Sequence, residues 1–292
     1  MKDIKIIFMS EINQTIPIRR STINVPDFVA RQQSDASQPK EKYPSEVIPL
    51  PTKGWFYPEG HPLSSGEIEI KQMTAREEDL LANQELIKKG KVLDKLMESV
   101  IINKSIKIEE ILIPDKNAIF IAIRRLAYGD DYPVSITCPQ CSVQNKIKIN
   151  LGELLYKPFN FDEHPKGQNS FTFKLPSSGI TITYKLLNQI DEQMIDAELV
   201  QLKKISNENT GELTTRLKSM ITSVDGNTDK QGVRKFVEDK LMAKDSLALR
   251  KHIKEHNPDV DMTFDYKCSD CSYERRLNMP IGASFLWPDI DA

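Results

Sequence analysis

The chain has 292 residues, of which 39% are hydrophobic, and its 40 Lys and Arg against 42 Asp and Glu leave a net charge of −2. That length suits one large or two small domains with an ordinary apolar core. The balanced charge lacks the positive field that draws proteins to phosphate backbones, which disfavours nucleic acid as a partner. The longest apolar run near the middle, Ala118–Ile123, is far short of the ~18–20 residues of a membrane span, so a soluble, cytosolic protein is expected.

At the N-terminus, Ile6-Ile7-Phe8-Met9 follows Lys2 and Lys5 but is too brief for the apolar region of a signal peptide. From about Ser10 to Pro51 the chain is polar and offers little periodic apolar surface. Residues 1–47 are therefore expected to form an extended or disordered arm, either an inert tail or one that orders against a partner subunit.

The next part, residues 48–150, opens on Gly54-Trp55-Phe56-Tyr57 in a Gly- and Pro-bounded turn. Such a cluster caps its own core or anchors a partner, and the first is favoured. Gly66–Lys71 alternates like a strand. Thr74-Ala75-Arg76-Glu77 matches a capping box and predicts a helix to about Lys88, stopped by Gly90. Val92, Leu93, Leu96, Met97, Val100 and Ile101 recur at helical spacing. After Pro114 a third helix is expected from about Lys116 to Tyr128, closed by Gly129. Arg124 and Arg125, with Asp130 and Asp131 beyond, read as a solvated face or local ion pairs in preference to a binding patch.

Cys138-Pro139-Gln140-Cys141 follows, and its partner motif is Cys268-Ser269-Asp270-Cys271; these are all four cysteines of the chain. A two-residue gap lets both thiolates of a pair grip one small ion from a tight turn, and four thiolates complete the tetrahedron that Zn²⁺ prefers. Val134–Thr137 and Lys146–Ile149 flank the first pair, and Thr263–Tyr266 and Arg275–Leu277 the second, all with β-like character. This is the pattern of two zinc-ribbon hairpins, but 126 residues separate Cys141 from Cys268, against ~15–20 in a self-contained ribbon. Disulfides and redox CxxC motifs are the alternatives, set lower because no βαβ pattern surrounds either pair and cytosolic thiols stay reduced. Four cysteines leave no open coordination position, so a bound zinc would be structural.

Residues 151–260 are read as a helical and β-hairpin insert. Leu151–Leu155 suggests a short helical turn, and Ser170–Leu175 and Ile180–Tyr184 flank Pro176-Ser177-Ser178-Gly179 as a hairpin. Helices are expected at about Asp191–Ile205, Leu213–Val224, Val233–Lys240 and Ser246–His256. His252 and His256 lie four apart, yet the intervening Ile253-Lys254-Glu255 lacks the Glu after the first His of the metalloprotease pattern, so an exposed helix end is expected. Asn257–Asp261 begins like a calcium loop, but Met262 stands where Gly is needed and Cys268 where the bidentate Glu belongs. The sequence shows no phosphate-cradling loop and no nucleophile elbow, so no catalytic residue, cofactor-binding residue or small-molecule substrate is expected.

Residues 261–292 hold the second hairpin and an aromatic tail, Ser284-Phe285-Leu286-Trp287-Pro288, expected to fold back onto the metal lobe because an exposed patch of this kind invites aggregation. The expected fold class is α+β, with helices and β-hairpins around a split four-cysteine zinc ribbon. Both hairpins form one lobe, and the intervening segment a second.

The Gly-Trp-Phe-Tyr turn, Gly66–Lys71, Met73–Leu81, Ala122–Gly129 before the first pair, Asn278-Met279-Pro280 and the aromatic tail together carry a family resemblance. Over about residues 48–290 the chain resembles the baseplate hub and hub-assembly proteins of T-even-like contractile-tailed bacteriophages. The resemblance implies a non-enzymatic structural or assembly role in contact with other baseplate hub proteins, in the virion tail baseplate or in the host cytoplasm during assembly. The rival reading is a zinc-ribbon nucleic-acid binder.

Overall fold

The computed structural model describes residues 44–205, 211–281 and 285–286. Residues 1–43, and with them most of the expected arm, lie outside the described residues, as do Trp287 and Pro288.

The described chain opens on a strand that hydropathy did not signal. β1 (Ser45–Pro49) begins inside the expected arm and pairs antiparallel with β2 (Glu67–Lys71), Ile48 opposite Ile68. Between them the aromatic turn packs inward, with Phe56 and Tyr57 buried, as its core-capping reading requires. Gly54 there has φ of 68°, and an added Cβ would sit 2.4 Å from the Leu63 carbonyl oxygen, so only glycine fits.

The capping box holds: the Glu77 carboxylate accepts from the Thr74 backbone N–H at 2.8 Å. The helix it starts is shorter than expected. α1 (Ala75–Leu81) ends at Ala82, and Asn83 caps a separate α2 (Gln84–Lys88) by accepting from the Glu85 and Leu86 N–H groups. An Asn side chain competes for backbone donors in this way, which breaks the helix where apolar spacing alone would carry it on. α3 (Val92–Val100) buries five of the six apolar positions of its expected stripe, and the sixth, Ile101, is buried at its C-cap.

α4 (Ile113–Tyr128) starts three residues ahead of expectation because Pro114 sits in its first turn, where no N–H is needed. Every residue from Ile113 to Arg124 is buried, the condition of a helix at the centre of a fold. Its polar residues are paired accordingly. Asp115 accepts from the Thr52 N–H and hydroxyl and from the Tyr57 hydroxyl at 2.7–3.1 Å. Lys116 bonds Asp94 and Gln189, and Asn117 donates to Asp259. Arg124 is buried beneath Tyr128, donating towards the Gly129 and Asp131 carbonyls, while Arg125 pairs with Asp130 at 2.7 Å. Arg125 is the local ion pair expected; Arg124 is no surface residue at all.

Two hairpins carry the cysteines: β3 (Asp131–Thr137) with β4 (Gln144–Asn150), and, at the far end of the chain, β8 (Thr263–Lys267) with β9 (Glu274–Asn278). The insert between them holds β5 (Phe171–Lys174), β6 (Thr181–Tyr184), α5 (Gln189–Ile205), α6 (Glu212–Met220), β7 (Ile221–Val224), α7 (Lys230–Asp239) and α8 (Ala243–His256). The helix expected over Leu213–Val224 is corrected here. It stops at Met220, and Ile221–Val224 joins the hairpin as its third strand, Ile182 opposite Val224. Three of those four residues are β-branched and they find an open edge on β6, so strand pairing prevails over helical continuation.

The insert is pinched at its base. Lys157 N–H donates to the Asp259 carbonyl and Asp261 N–H to the Leu155 carbonyl, each at 2.8 Å, with Tyr156 bridging Val260. Most of its buried apolar side chains belong to the same contiguous core as the N-terminal part, joined through Phe56 and Phe171 with ring centroids 5.0 Å apart, while Leu187 and Ile195 form a small cluster with Ile113.

Candidate metal centre

Each cysteine pair sits in a six-residue connection of the same design. In the first hairpin Thr137 is opposite Gln144 and Cys138 N–H donates to the Val143 carbonyl at 2.8 Å; in the second Lys267 is opposite Glu274 and Cys268 N–H donates to the Tyr273 carbonyl at 2.9 Å. The residue after each second cysteine, Ser142 (φ 61°) and Ser272 (φ 58°), takes the left-handed turn that folds the loop back under its sulfurs.

The two loops meet. Sγ atoms of Cys138, Cys141, Cys268 and Cys271 all lie within 4.8 Å of one another. Cys138 and Cys271 are 3.7 Å apart and Cys141 and Cys268 3.6 Å, both pairs reaching from one hairpin to the other. A disulfide needs about 2.05 Å, and the four thiols are free. A tetrahedral ion with sulfur ligands at about 2.3 Å needs sulfurs about 3.8 Å apart, so these four lie close enough to bind one metal ion.

The surroundings divide the four thiols: the pKa values of Cys138 and Cys268 are lowered, while, against the bonds from the Tyr273 and Val143 amides, burial and the neighbouring sulfurs raise Cys271 and push Cys141 up to about 12. Backbone amides of Cys271 and Asp270 donate to Cys268 and pull its thiol down to about 6. Ile136, Ile147, Phe264 and Leu277 pack around the cluster and Cys138 and Cys268 are buried. The buried Tyr266 hydroxyl has no hydrogen-bond partner among the described residues. Burial, with the sulfurs of Cys268 and Cys138 beside it, raises its pKa and keeps the phenol protonated. An orphaned O–H donor beside thiols is what a site built for thiolates would contain.

Asn145, which the motif alone does not single out, ties the loops together. Its Oδ1 accepts from the Ser269 N–H at 3.1 Å and hydroxyl at 2.6 Å, and its Nδ2 faces Cys268 Sγ at 3.6 Å. The signal for it was period 2: Asn145, Ile147 and Ile149 share the inward face of β4, and a polar residue there must find a partner.

The histidine pair departs from its expected exposure. His256 is exposed, but His252 is half-buried and stacks on Phe173 at 4.3 Å and on His256 at 4.4 Å. Asp259, first acid of the calcium-like stretch, is spent on Asn117 and the Val260 N–H. No helix among the described residues is long and apolar enough to cross a membrane.

The aromatic tail folds back at Phe285 and Leu286, both buried, with Phe285 edge-on to Tyr132 of β3 at 5.0 Å. Among curated proteins and among solved structures no match to the chain is found. Residues 59–287 match the family model of the T4 bacteriophage base plate protein. With well over half its length matched, the chain belongs to that family.

Proposed function

We propose that this protein is a non-enzymatic structural or assembly component of the phage baseplate hub, its fold stapled by one Zn²⁺ bound to Cys138, Cys141, Cys268 and Cys271. The observation that carries the reading is the convergence of four sulfurs from two hairpins that lie 126 residues apart in sequence. Four thiolates saturate a tetrahedral zinc and leave no position for water or substrate, so the metal supplies rigidity and no hydrolytic chemistry. The work of the chain is then contact with other hub proteins, with the virion tail baseplate as the site of action.

Metal analysis of the purified protein, coupled to co-expression with the other hub proteins of its phage, tests this. About one zinc per chain and co-purification with at least one hub protein are expected. Zinc-free folded protein would remove the staple. Failure to bind any hub protein, together with salt-sensitive binding to DNA or RNA, would move the assignment to the nucleic-acid reading.

A further inference from the structure

α7 and α8 carry a charge that the whole chain does not. From Lys230 to His256 there are eight Lys and Arg against four Asp and Glu, in a protein whose net charge is −2. Two of those acids are already engaged, Asp245 buried and Glu238 at the surface. Asp245 accepts from the Ser177 and Ser178 N–H groups at 2.7 and 3.0 Å, and Glu238 pairs with Lys218 at 2.9 Å. Arg234 and Lys251 pair with Glu198 and Glu255 at 3.6 and 3.9 Å, which leaves Lys230, Lys235, Lys240, Lys244 and Lys254 as the exposed positive charge.

Two of these lysines, Lys235 and Lys240, border a cleft of about 250 Å³ between α7 and the turn after β7, where the neighbouring Asp225 and Asp229 are taken up by the Thr181 and Gly232 N–H groups. Val224, Val233 and Phe236 line it with apolar surface, and Lys235, Lys240 and Asn227 line it with polar groups. Both lysines are exposed, and neither ammonium has a carboxylate within 4.0 Å among the described residues, Asp239 included. The volume falls below the ~300–1,000 Å³ of small-molecule sites and suits one inserted side chain. An apolar floor is of no use to a phosphate backbone, while lysines at its edge attract carboxylates.

We propose that this cleft docks an acidic segment of a partner protein, seating one apolar side chain over Val233 and Phe236 while flanking carboxylates pair with Lys235 and Lys240. None of the residues that line the site belongs to either cysteine hairpin.

The test uses the full-length, ¹⁵N-labelled protein and three probes: the peptide acetyl-DELFDE-amide, its counterpart acetyl-DEGSDE-amide, and an oligo-dT of matched charge. The first peptide should shift the amide signals of Asn227, Val233 and Phe236 saturably, and the second should not. The exposed double variant K235E/K240E should weaken that binding about tenfold with its spectrum otherwise retained. The proposal is overturned by equal binding of both peptides, by unchanged binding to the variant, by absence of binding at millimolar peptide, or by oligo-dT binding more tightly at the same amides. None of these outcomes alters zinc content or hub co-purification, so the two proposals fail separately.

Discussion

Asn145 and Ser269 stand 124 positions apart and are joined by two hydrogen bonds, at 3.1 and 2.6 Å, that lock one cysteine loop onto the other. The same amide turns its N–H towards Cys268 Sγ. Asn145→Asp keeps the shape but replaces that donor with a negative charge beside the sulfurs. Metal affinity should fall by about 10–100-fold, read by competition with a colorimetric chelator; an unchanged affinity would mean that Asn145 holds the loops together and nothing more.

Removing the proposed zinc should loosen the body as a whole, because the four cysteines come from both ends of the insert. Structural zinc is worth about 10–16 kcal/mol of apparent binding energy in small peptides. Cys138→Ser and Cys268→Ser should each lower the melting temperature and solubility sharply, and a chelator should do the same to the unaltered chain. A melting curve indifferent to both treatments would mark the site as dispensable.

The pH dependence has two opposing parts. Burial is the largest influence on Glu77 and acts to raise its pKa, yet bonds from Lys71, Ser99 and Thr74 outweigh it and hold the carboxyl at about 2. Its stabilising contribution is present above its ordinary 4.5 and is lost as pH falls towards 2. Asp115 behaves in reverse. Burial lifts it from 3.8 to about 6 against the bonds from Tyr57 and Thr52. The folded state holds that proton longer than the unfolded chain, so stability declines as pH rises from about 4 to 6. Denaturant titrations at half-unit pH steps should show Asp115→Asn abolishing a decline over pH 4–6 that the unaltered chain retains.

Phe285 is buried against Tyr132, so Phe285→Ala leaves a void beneath the base of the first cysteine hairpin. A loss of about 3–5 kcal/mol is expected, measured by urea unfolding. A loss below about 1 kcal/mol would show that the tail contributes little to the core.

Much of the site was legible before any fold was known. The two-residue gaps announce ligands, and the alternation in Val134–Thr137, Lys146–Ile149 and Thr263–Tyr266 announces the hairpins that carry them, because a half-buried strand must repeat every two residues. The α3 stripe was legible for the same kind of reason at a period of 3.6. The break at Asn83, the strand at Ile221–Val224 and the burial of Arg124 were not. Each depends on a partner distant in sequence or on a side chain competing with its own backbone, and neither leaves a periodic trace.

By itself, then, the sequence determined the candidate metal-binding cysteines, the hairpins around them and the amphipathic helices, all of which follow from local spacing. Only the tertiary structure decided that the hairpins meet. The pairing of Leu155–Lys157 with Asp259–Asp261 closes the base of the insert, and Asn145 sets one loop against the other. Closing a long loop costs free energy that grows only logarithmically with its length. A gap of 126 residues is therefore no barrier once a few hydrogen bonds and a shared core hold its ends together.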